Sequence, residues 1–421
     1  MKYHIIVYGC QMNFSDSERV CAVLENIRYK KTSNINEADL IVVTMCSVRQ
    51  SAVDRVQGLT EKFEKLKYKN HKLQTILTGC VLKKDRKIFL EIFDYIIDIK
   101  DIKKISEILN KKIIKNTDNY LDITPKYSSK FSASVPIMTG CNNFCAYCVV
   151  PYVREREISR PTKEIVFEVK NLVKKGYKEI WLLGQNVNSY KSGKTNFPAL
   201  LKTINKIPGK FWIRFTSSHP KDFNSEVIAA IATGGKITPY LNLPIQSGDD
   251  KVLKNMNRHY TVKDYKNKIK ELRKKIPAIC LSTDIIVGYP GETKKQFENT
   301  LQLFRDIKYD MAYINKYSER KGTAAAKLKD NVSVVEKKRR EKALNEVLKQ
   351  TALENNKKFV GREVEVLVDS KKGSRQFGRT KEYKIVEFNS LAGQANKNLI
   401  GKFIKLKIVD ATPWKLKAKI K

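Results

Sequence analysis

Gly140-Cys141-Asn142-Asn143-Phe144-Cys145-Ala146-Tyr147-Cys148 places three cysteines in the spacing C-x3-C-x-Φ-C, with Tyr147 as the aromatic residue. A structural zinc site needs four ligands, usually supplied as C-x2-C pairs, and no second pair lies nearby. The run also differs from the C-x2-C-x2-C-x3-C-P of two-cluster ferredoxins. Three thiolates this close can hold three irons of a four-iron cluster. The fourth iron is then open to a small molecule that can be reduced there. Zinc, and three reduced thiols with no metal, are the competing readings.

The rest of the chain bounds the problem. Its 421 residues suffice for two or three domains, and 42% hydrophobic content allows a sizeable core. No apolar run approaches the roughly 20 residues that span a bilayer. The start, Met1-Lys2-Tyr3-His4-Ile5, leads into a strand-like run without the layout of a signal peptide. A cytoplasmic protein with reduced thiols is the expectation. Eight cysteines then suggest metal or redox chemistry more than disulfides. Net charge is +38, from 82 Lys+Arg against 44 Asp+Glu. Such an excess suits a polyanionic partner, most simply nucleic acid, although a composition rich in Lys, Asn and Ile accounts for part of it.

Three segments follow from the pattern, with boundaries at 1–118, 127–357 and 358–421. In the first, strand-like runs over 3–9, 40–45 and 73–79 each end at a cysteine: Cys10, Cys46 and Cys80. An open parallel α/β sheet binds ligands beyond the carboxyl ends of its strands. These three thiols can therefore converge on a second cluster; small buried cysteines that merely end strands are the alternative. Cys21 and Cys280 are expected in the core. Residues 119–131, polar with Pro125, have the composition of a linker.

The second segment alternates strands, over 133–139, 179–183, 212–216, 240–243, 281–287 and 311–317, with amphipathic helices such as 162–175 and 294–306. This predicts a partial or full parallel (βα) barrel, with the cysteine loop after its first strand and function at the strands' carboxyl ends. A long charged helix over 334–359 leads to period-2 strands at 363–368 and 403–409. These predict a small β-barrel, and residues 357–421 carry 17 Lys+Arg against 6 Asp+Glu. Such barrels present lysine faces to nucleic acid or simply to solvent.

Taken together, these motifs resemble the methylthiotransferases of the radical S-adenosylmethionine superfamily. Nearly the whole chain takes part in the resemblance. Tyr8-Gly9-Cys10-Gln11-Met12-Asn13 with Asp16-Ser17-Glu18 is similar to the tRNA-modifying, MiaB-type opening. Members acting on a ribosomal protein typically read Gly-Cys-Pro-Lys-Asn there, and those acting on threonylcarbamoyl adenosine read Gly-Cys-Lys-Val-Asn. Cys46-Ser47-Val48-Arg49, Thr78-Gly79-Cys80 and Cys148-Val149-Val150-Pro151-Tyr152-Val153-Arg154 also fit the MiaB type. Two places depart from the family: Glu155 stands where glycine is common, and the run around Arg320-Lys321-Gly322-Thr323 lacks two common prolines.

The resemblance implies an α/β multidomain fold: an N-terminal open parallel sheet, a central radical-SAM partial (βα) barrel and a C-terminal TRAM β-barrel. It implies two [4Fe-4S] clusters, an auxiliary one on Cys10, Cys46 and Cys80 and a radical-generating one on Cys141, Cys145 and Cys148. S-adenosylmethionine would lie near Tyr147, Gln185, Asn186, Arg214, Ser218 and Ser247. The implied reaction inserts a methylthio group at carbon 2 of N6-isopentenyl (dimethylallyl) adenosine beside the anticodon of tRNA. Implied partners are the tRNA anticodon stem-loop and a small electron donor such as flavodoxin or ferredoxin, with the enzyme a cytoplasmic monomer and no membrane involved. A non-catalytic RNA-binding iron–sulfur sensor is the alternative from another class.

Overall fold

A computed structural model describes residues 1–111, 119–389 and 398–420. The chain forms two compact units. One comprises Met1–Ser129, Ser134–Phe144 and Cys148–Arg160; the other comprises Lys130–Ala133, Cys145–Tyr147 and Pro161–Lys421. The second and third sequence segments thus share a unit, and parts of the second segment join the first. Residue 118, the expected end of the first segment, lies outside the described residues.

In the first unit, five parallel strands lie in the order Lys30–Lys31, Lys2–Tyr8, Leu40–Cys46, Gln74–Cys80 and Tyr95–Ile96. Leu40–Cys46 is buried at every residue, as expected of a central strand covered on both faces. Leu40 and Val42 pack with Tyr3, Leu24 and Ile76 on one face. Ile41, Val43 and Met45 pack with Phe63 and Leu77 on the other. Each such buried aliphatic side chain contributes about 1.5–3 kcal/mol.

Residues 119–131 are not a free linker. Tyr120 and Leu121 are buried in the sheet's core, and the Ser128 backbone N–H and hydroxyl both donate to Glu18 Oε1, at 2.8 and 2.7 Å. Two large apolar side chains outweigh the polar composition that suggested a spacer.

The second unit carries the parallel barrel strands. Glu179–Leu183 pairs with Trp212–Phe215, and Ile213 bridges Ile237. Tyr240–Asn242, Cys280–Val287 and Met311–Lys316 pair in that order. Lys178 and Glu179 donate backbone N–H groups to Phe131 O, immediately before Ser132–Pro136, the first strand of the series. Helices alternate with these strands. Thr162–Lys174 buries Ile165, Val169 and Leu172 at helical spacing. Thr261 and Thr293 open Val262–Lys275 and Lys294–Ile307 with reciprocal capping boxes. The long helix Val334–Lys357 follows. As expected, Cys21 and Cys280 are buried.

Glu363–Lys372, Arg375–Thr380, Ile385–Asn389, Leu416–Lys419 and Phe403–Ala411 close, in that order, into a five-stranded β-barrel. Val366, Val368, Val386, Phe388, Leu406 and Ile408 fill its core. Within the same unit it docks on the strand starts of the parallel barrel. Arg214, 1% exposed, donates from Nε to Glu179 Oε1 at 2.6 Å and from Nη1 to Thr238 Oγ1 at 3.2 Å. It also donates to the backbone carbonyls of Thr380 and Lys381, both at 2.9 Å. Tyr383 packs its ring against Trp181 and Tyr240, and Lys384 pairs with Asp310 at 2.6 Å.

Arg214→Met would strand the Glu179 carboxylate and two carbonyls in a buried joint. The expected cost is about 3–5 kcal/mol. Denaturation followed by tryptophan fluorescence checks this, since Trp181 and Trp212 lie within the joint. An unchanged midpoint would contradict this account of the joint.

Candidate cluster and cofactor sites

Strand pairing fixes the first cysteine group. Cys46 and Cys80 are register partners at the carboxyl ends of adjacent parallel strands. Cys10 follows Lys2–Tyr8, the strand on the other side of Leu40–Cys46, and starts helix Gln11–Asn26. Asn13, fully buried, ties the three ends together. Its Oδ1 accepts from the Cys10 backbone N–H at 3.2 Å and from the Cys10 thiol at 3.3 Å. Its Nδ2 donates to Met45 O at 3.1 Å and to Cys80 Sγ at 3.8 Å. Gly79, at φ +100°, could carry no side chain, because a Cβ there would sit 2.4 Å from Met45 O.

The thiols also interact with one another. Hydrogen bonding with Cys46 pulls the Cys10 thiol down to about 6, against the opposing effect of burial. The Cys80 thiol is lowered by the same partner and, further, by the positive charge of Arg154. Cys46, bonded to both neighbours, is raised and keeps its proton. Among the described residues no set of three or more His, Cys, Asp or Glu is disposed as it stands to hold a metal ion. The donor chemistry nevertheless fits a thiolate-held cluster: three soft sulfurs meet at neighbouring strand ends, with N–H donors of Asn13 and Arg154 aimed at one of them. Metal binding there would displace the proton that the thiols share.

Cys141 and Cys148 belong to the same unit. Asn143 Nδ2 donates to Cys141 Sγ at 3.6 Å, and the Cys141 N–H donates to Glu155 O at 3.2 Å. Glu155 sits at φ 63°, which explains why glycine suits this position. Its carboxylate pairs with exposed Lys100.

Cys145 and Tyr147 belong to the second unit. Arg258, buried, connects them: Nη1 lies 3.4 Å from Cys145 Sγ and 3.5 Å from the Tyr147 hydroxyl. Its Nη2 donates to Pro244 O at 2.8 Å and its Nε to Tyr260 Oη at 2.7 Å. Pro244 follows the strand Tyr240–Asn242, so Cys145 stands at the carboxyl ends of the barrel strands.

The loops after Glu179–Leu183 and Trp212–Phe215 contain five buried polar atoms without a partner among the described residues: Gln185 Oε1, Asn186 Oδ1, Asn188 Nδ2, Ser218 Oγ and His219 Nε2. The loops are joined by the Val187 N–H donating to Ser217 O. His219 Nδ1 accepts from the Lys221 N–H at 3.2 Å. The ring proton is therefore on Nε2, one of the unpartnered atoms. Leaving such groups unmatched costs about 1–3 kcal/mol each. A ligand with ammonium, carboxylate and hydroxyl groups would satisfy both the donors and the acceptors. S-adenosylmethionine has these groups, and the residues fit it.

Of the residues expected around that cofactor, Gln185, Asn186 and Ser218 lie together in this way. Tyr147 lies beside Cys145 through Arg258. Ser247 is buried and its hydroxyl accepts from the Asp249 N–H at 3.3 Å, which gives it a turn-forming role. Arg214 departs from the expectation: its guanidinium is held at the strand starts by Glu179 and the Thr380 and Lys381 carbonyls, away from the end that carries Cys145. Sequence reading did not assign Asn13, Arg154, Arg258 or His219. The first two occur inside motifs quoted for their cysteines, but nothing local marks where their side chains end.

The Radical SAM superfamily model matches residues 135–304, Uncharacterized protein family UPF0004 matches 2–99, and the TRAM domain matches 357–421. The fold resembles that of the radical S-adenosylmethionine methyltransferase TsrM from Kitasatospora setae, with TM-score 0.52 and 14% identity over 75% of this chain and 72% of that one. It also resembles the cobalamin-dependent S-adenosylmethionine radical enzyme OxsB, with TM-score 0.53 and 11% identity over 83% and 56%. Fold and site together define a radical S-adenosylmethionine enzyme. The "tRNA-2-methylthio-N(6)-dimethylallyladenosine synthase" of Clostridium novyi is 40% identical over all of this chain and 96% of its own length. That of Dictyoglomus thermophilum is 40% identical over 100% and 98%. The chain belongs to the family of tRNA-2-methylthio-N6-dimethylallyladenosine synthases, and the expected three-part fold class holds.

Two measurements test this geometry. Glu155→Gly removes a left-handed side-chain residue, a conformation costing about 1–2 kcal/mol, and loses only an exposed ion pair. Its unfolding midpoint should rise; a fall would contradict the strain. Burial, then the positive charges of Arg258, Lys221 and His259, push His219 from 6.5 down to about 2. The unfolded chain therefore takes up a proton that the folded chain refuses, and stability falls as pH drops below 6.5. The loss from this group reaches about 2 kcal/mol at pH 5. His219→Gln should show a correspondingly shallower decline between pH 7 and pH 5, and an equal decline in both proteins would refute the assignment.

Proposed function

We propose that this chain converts N6-dimethylallyladenosine in tRNA to its 2-methylthio derivative, using two cysteine groups with separate tasks. Cys141, Cys145 and Cys148 would hold a [4Fe-4S] cluster that would supply the electron cleaving one S-adenosylmethionine to methionine and a 5′-deoxyadenosyl radical, Cys10, Cys46 and Cys80 would hold an auxiliary cluster that would supply sulfur, and a second S-adenosylmethionine would supply the methyl group. The observation that carries this reading is the meeting of three thiols at the ends of three parallel strands, in a chain that also has the cysteine loop.

The chain's own groups do the positioning. Gln185, Asn186, Asn188, Ser218 and His219 present buried donors and acceptors to the amino acid and ribose of the cofactor. Tyr147, held beside Arg258, offers its ring to the adenine. Arg258 places an N–H and a positive charge next to the Cys145 sulfur, where they would compensate the negative charge of an iron-bound thiolate. The reacting base must leave its stack to reach such a pocket, and anticodon loops present unstacked bases readily.

The C-terminal barrel supports the tRNA reading. Lys405 and Lys407 alternate with buried Leu406 and Ile408, and Lys417 and Lys419 flank buried Ala418. Lys407 and Lys419 are direct cross-strand partners. Like charges placed so are destabilising, and a phosphate backbone would relieve them. This reading also calls for a one-electron donor such as flavodoxin or ferredoxin, and for a monomeric enzyme in the cytoplasm. Among the described residues no helix is long and apolar enough to cross a membrane.

The test is anaerobic incubation of reconstituted protein with S-adenosylmethionine, dithionite and tRNA bearing N6-dimethylallyladenosine, followed by nucleoside mass spectrometry. Cys145→Ala should abolish 5′-deoxyadenosine. Cys46→Ala should still release some 5′-deoxyadenosine but make no methylthio product. Full product from Cys46→Ala would remove the auxiliary role. In tRNA-binding titrations, Lys407→Ala with Lys419→Ala should weaken binding and reduce the salt slope by about 2. A slope equal to that of the parent would place the phosphate contacts elsewhere.

A further inference from the structure

Arg154 lies six positions beyond Cys148, on the run of chain that follows the cysteine loop, yet its side chain ends at the other cysteine group. Nε donates to Cys80 Sγ at 3.0 Å, closer to that sulfur than Asn13 Nδ2 at 3.8 Å. Nη1 donates to Tyr120 Oη at 3.3 Å, and Nη2 pairs with Asp16. The Arg154 and Asp16 side chains are 2% and 0% exposed. All four residues lie in the first unit. Asp16 and Tyr120 hold two corners of the planar guanidinium, and the N–H of the third nitrogen, Nε, is directed at sulfur.

A buried ion pair adds little to stability compared with well-packed apolar side chains of the same volume. Its particular property is a fixed charge at a fixed place. Hydrogen bonds to the sulfurs of an iron–sulfur cluster, and charge close to it, help set its reduction potential.

We propose that Arg154 is a positioning residue for the auxiliary group: through Nε it fixes the Cys80 sulfur and raises the reduction potential of the cluster that this sulfur holds, with Asp16 limiting the rise. The inference rests on the reading of Cys10, Cys46 and Cys80 as cluster ligands. It gives Tyr120, in the run that sequence composition marked as linker, the task of holding the guanidinium in plane. It also ties the chain carrying Cys141 and Cys148 to the sulfur-bearing site through one side chain.

The two partners make opposite predictions. Arg154→Met removes the N–H···S bond and the positive charge, so the midpoint potential should move to more negative values. Asp16→Asn keeps the bond and removes the compensating negative charge, so the potential should move to more positive values. A purely structural role would lower cluster content or stability without opposed shifts.

The experiment uses the full chain with Cys141, Cys145 and Cys148 all replaced by alanine, reconstituted with iron and sulfide. Iron and sulfide per chain are counted, and the potential is read by electron paramagnetic resonance at controlled potentials. No cluster in this background removes the ligand reading itself, and the inference falls with it. A loaded cluster with shifts of opposite sign supports the role of Arg154. A loaded cluster whose potential matches the parent in both variants overturns it while leaving the ligand reading intact. If Arg154→Met loads no iron, Asp16→Asn decides alone: a positive shift supports the inference and an unchanged potential overturns it.

Discussion

Parallel pairing between Leu40–Cys46 and Gln74–Cys80 puts two sulfurs side by side, and every other feature of the sulfur-bearing site builds on that register. A slip of one residue would send one of the two side chains to the opposite face of the sheet. Both faces of Leu40–Cys46 are buried, so the fit of particular side chains holds the register: Ile41, Val43 and Met45 fill one core and Leu40 and Val42 the other. The hydrophobic pattern thus does two jobs with the same residues. It holds the unit together, and it aims the thiols. Asn13 extends this control to Cys10, which no ladder hydrogen bond reaches from the strand in between.

The barrel end solves a different problem. Five buried polar atoms in two adjacent loops lack partners among the described residues, while the opposite, strand-start end is almost fully matched around Arg214 and Lys384. One barrel therefore has a saturated base and a mouth poised for a polar ligand. The matching at the base follows from what that end meets, the C-terminal barrel of its own unit. His219 fits this division, since its neutral ring offers a donor that none of the described residues accepts.

Much of this was legible in the residues. The strand ends carrying Cys10, Cys46 and Cys80, the alternation of strands and helices after residue 132, and the period-2 pattern of the C-terminal barrel all depend on local order along the chain, and the observed strands begin or end within a few residues of the expected ones. What escaped was long-range. Arg154 meets a sulfur 74 positions away and Arg258 one 113 positions away. Charged residues in a lysine-rich sequence give no sign of which of them will be buried. Arg214 sits on a strand of the right sheet, but its side chain runs back to Glu179 at the strand-start end and so misses the cofactor end. Residues 119–131 misled for the opposite reason: composition averaged over the run hid Tyr120 and Leu121, the two side chains that anchor it.

The docking of the C-terminal barrel has a consequence for how such a chain can change over time. Arg214 grips backbone carbonyls of Thr380 and Lys381, and every amino acid supplies a carbonyl. On the β-barrel's side, that part of the joint therefore depends on the shape of a turn and very little on the identity of the residues in it. The lysine-bearing strands can then gain or lose charges freely, adapting the protein to other nucleic-acid partners or salt conditions, without loosening the barrel from its base.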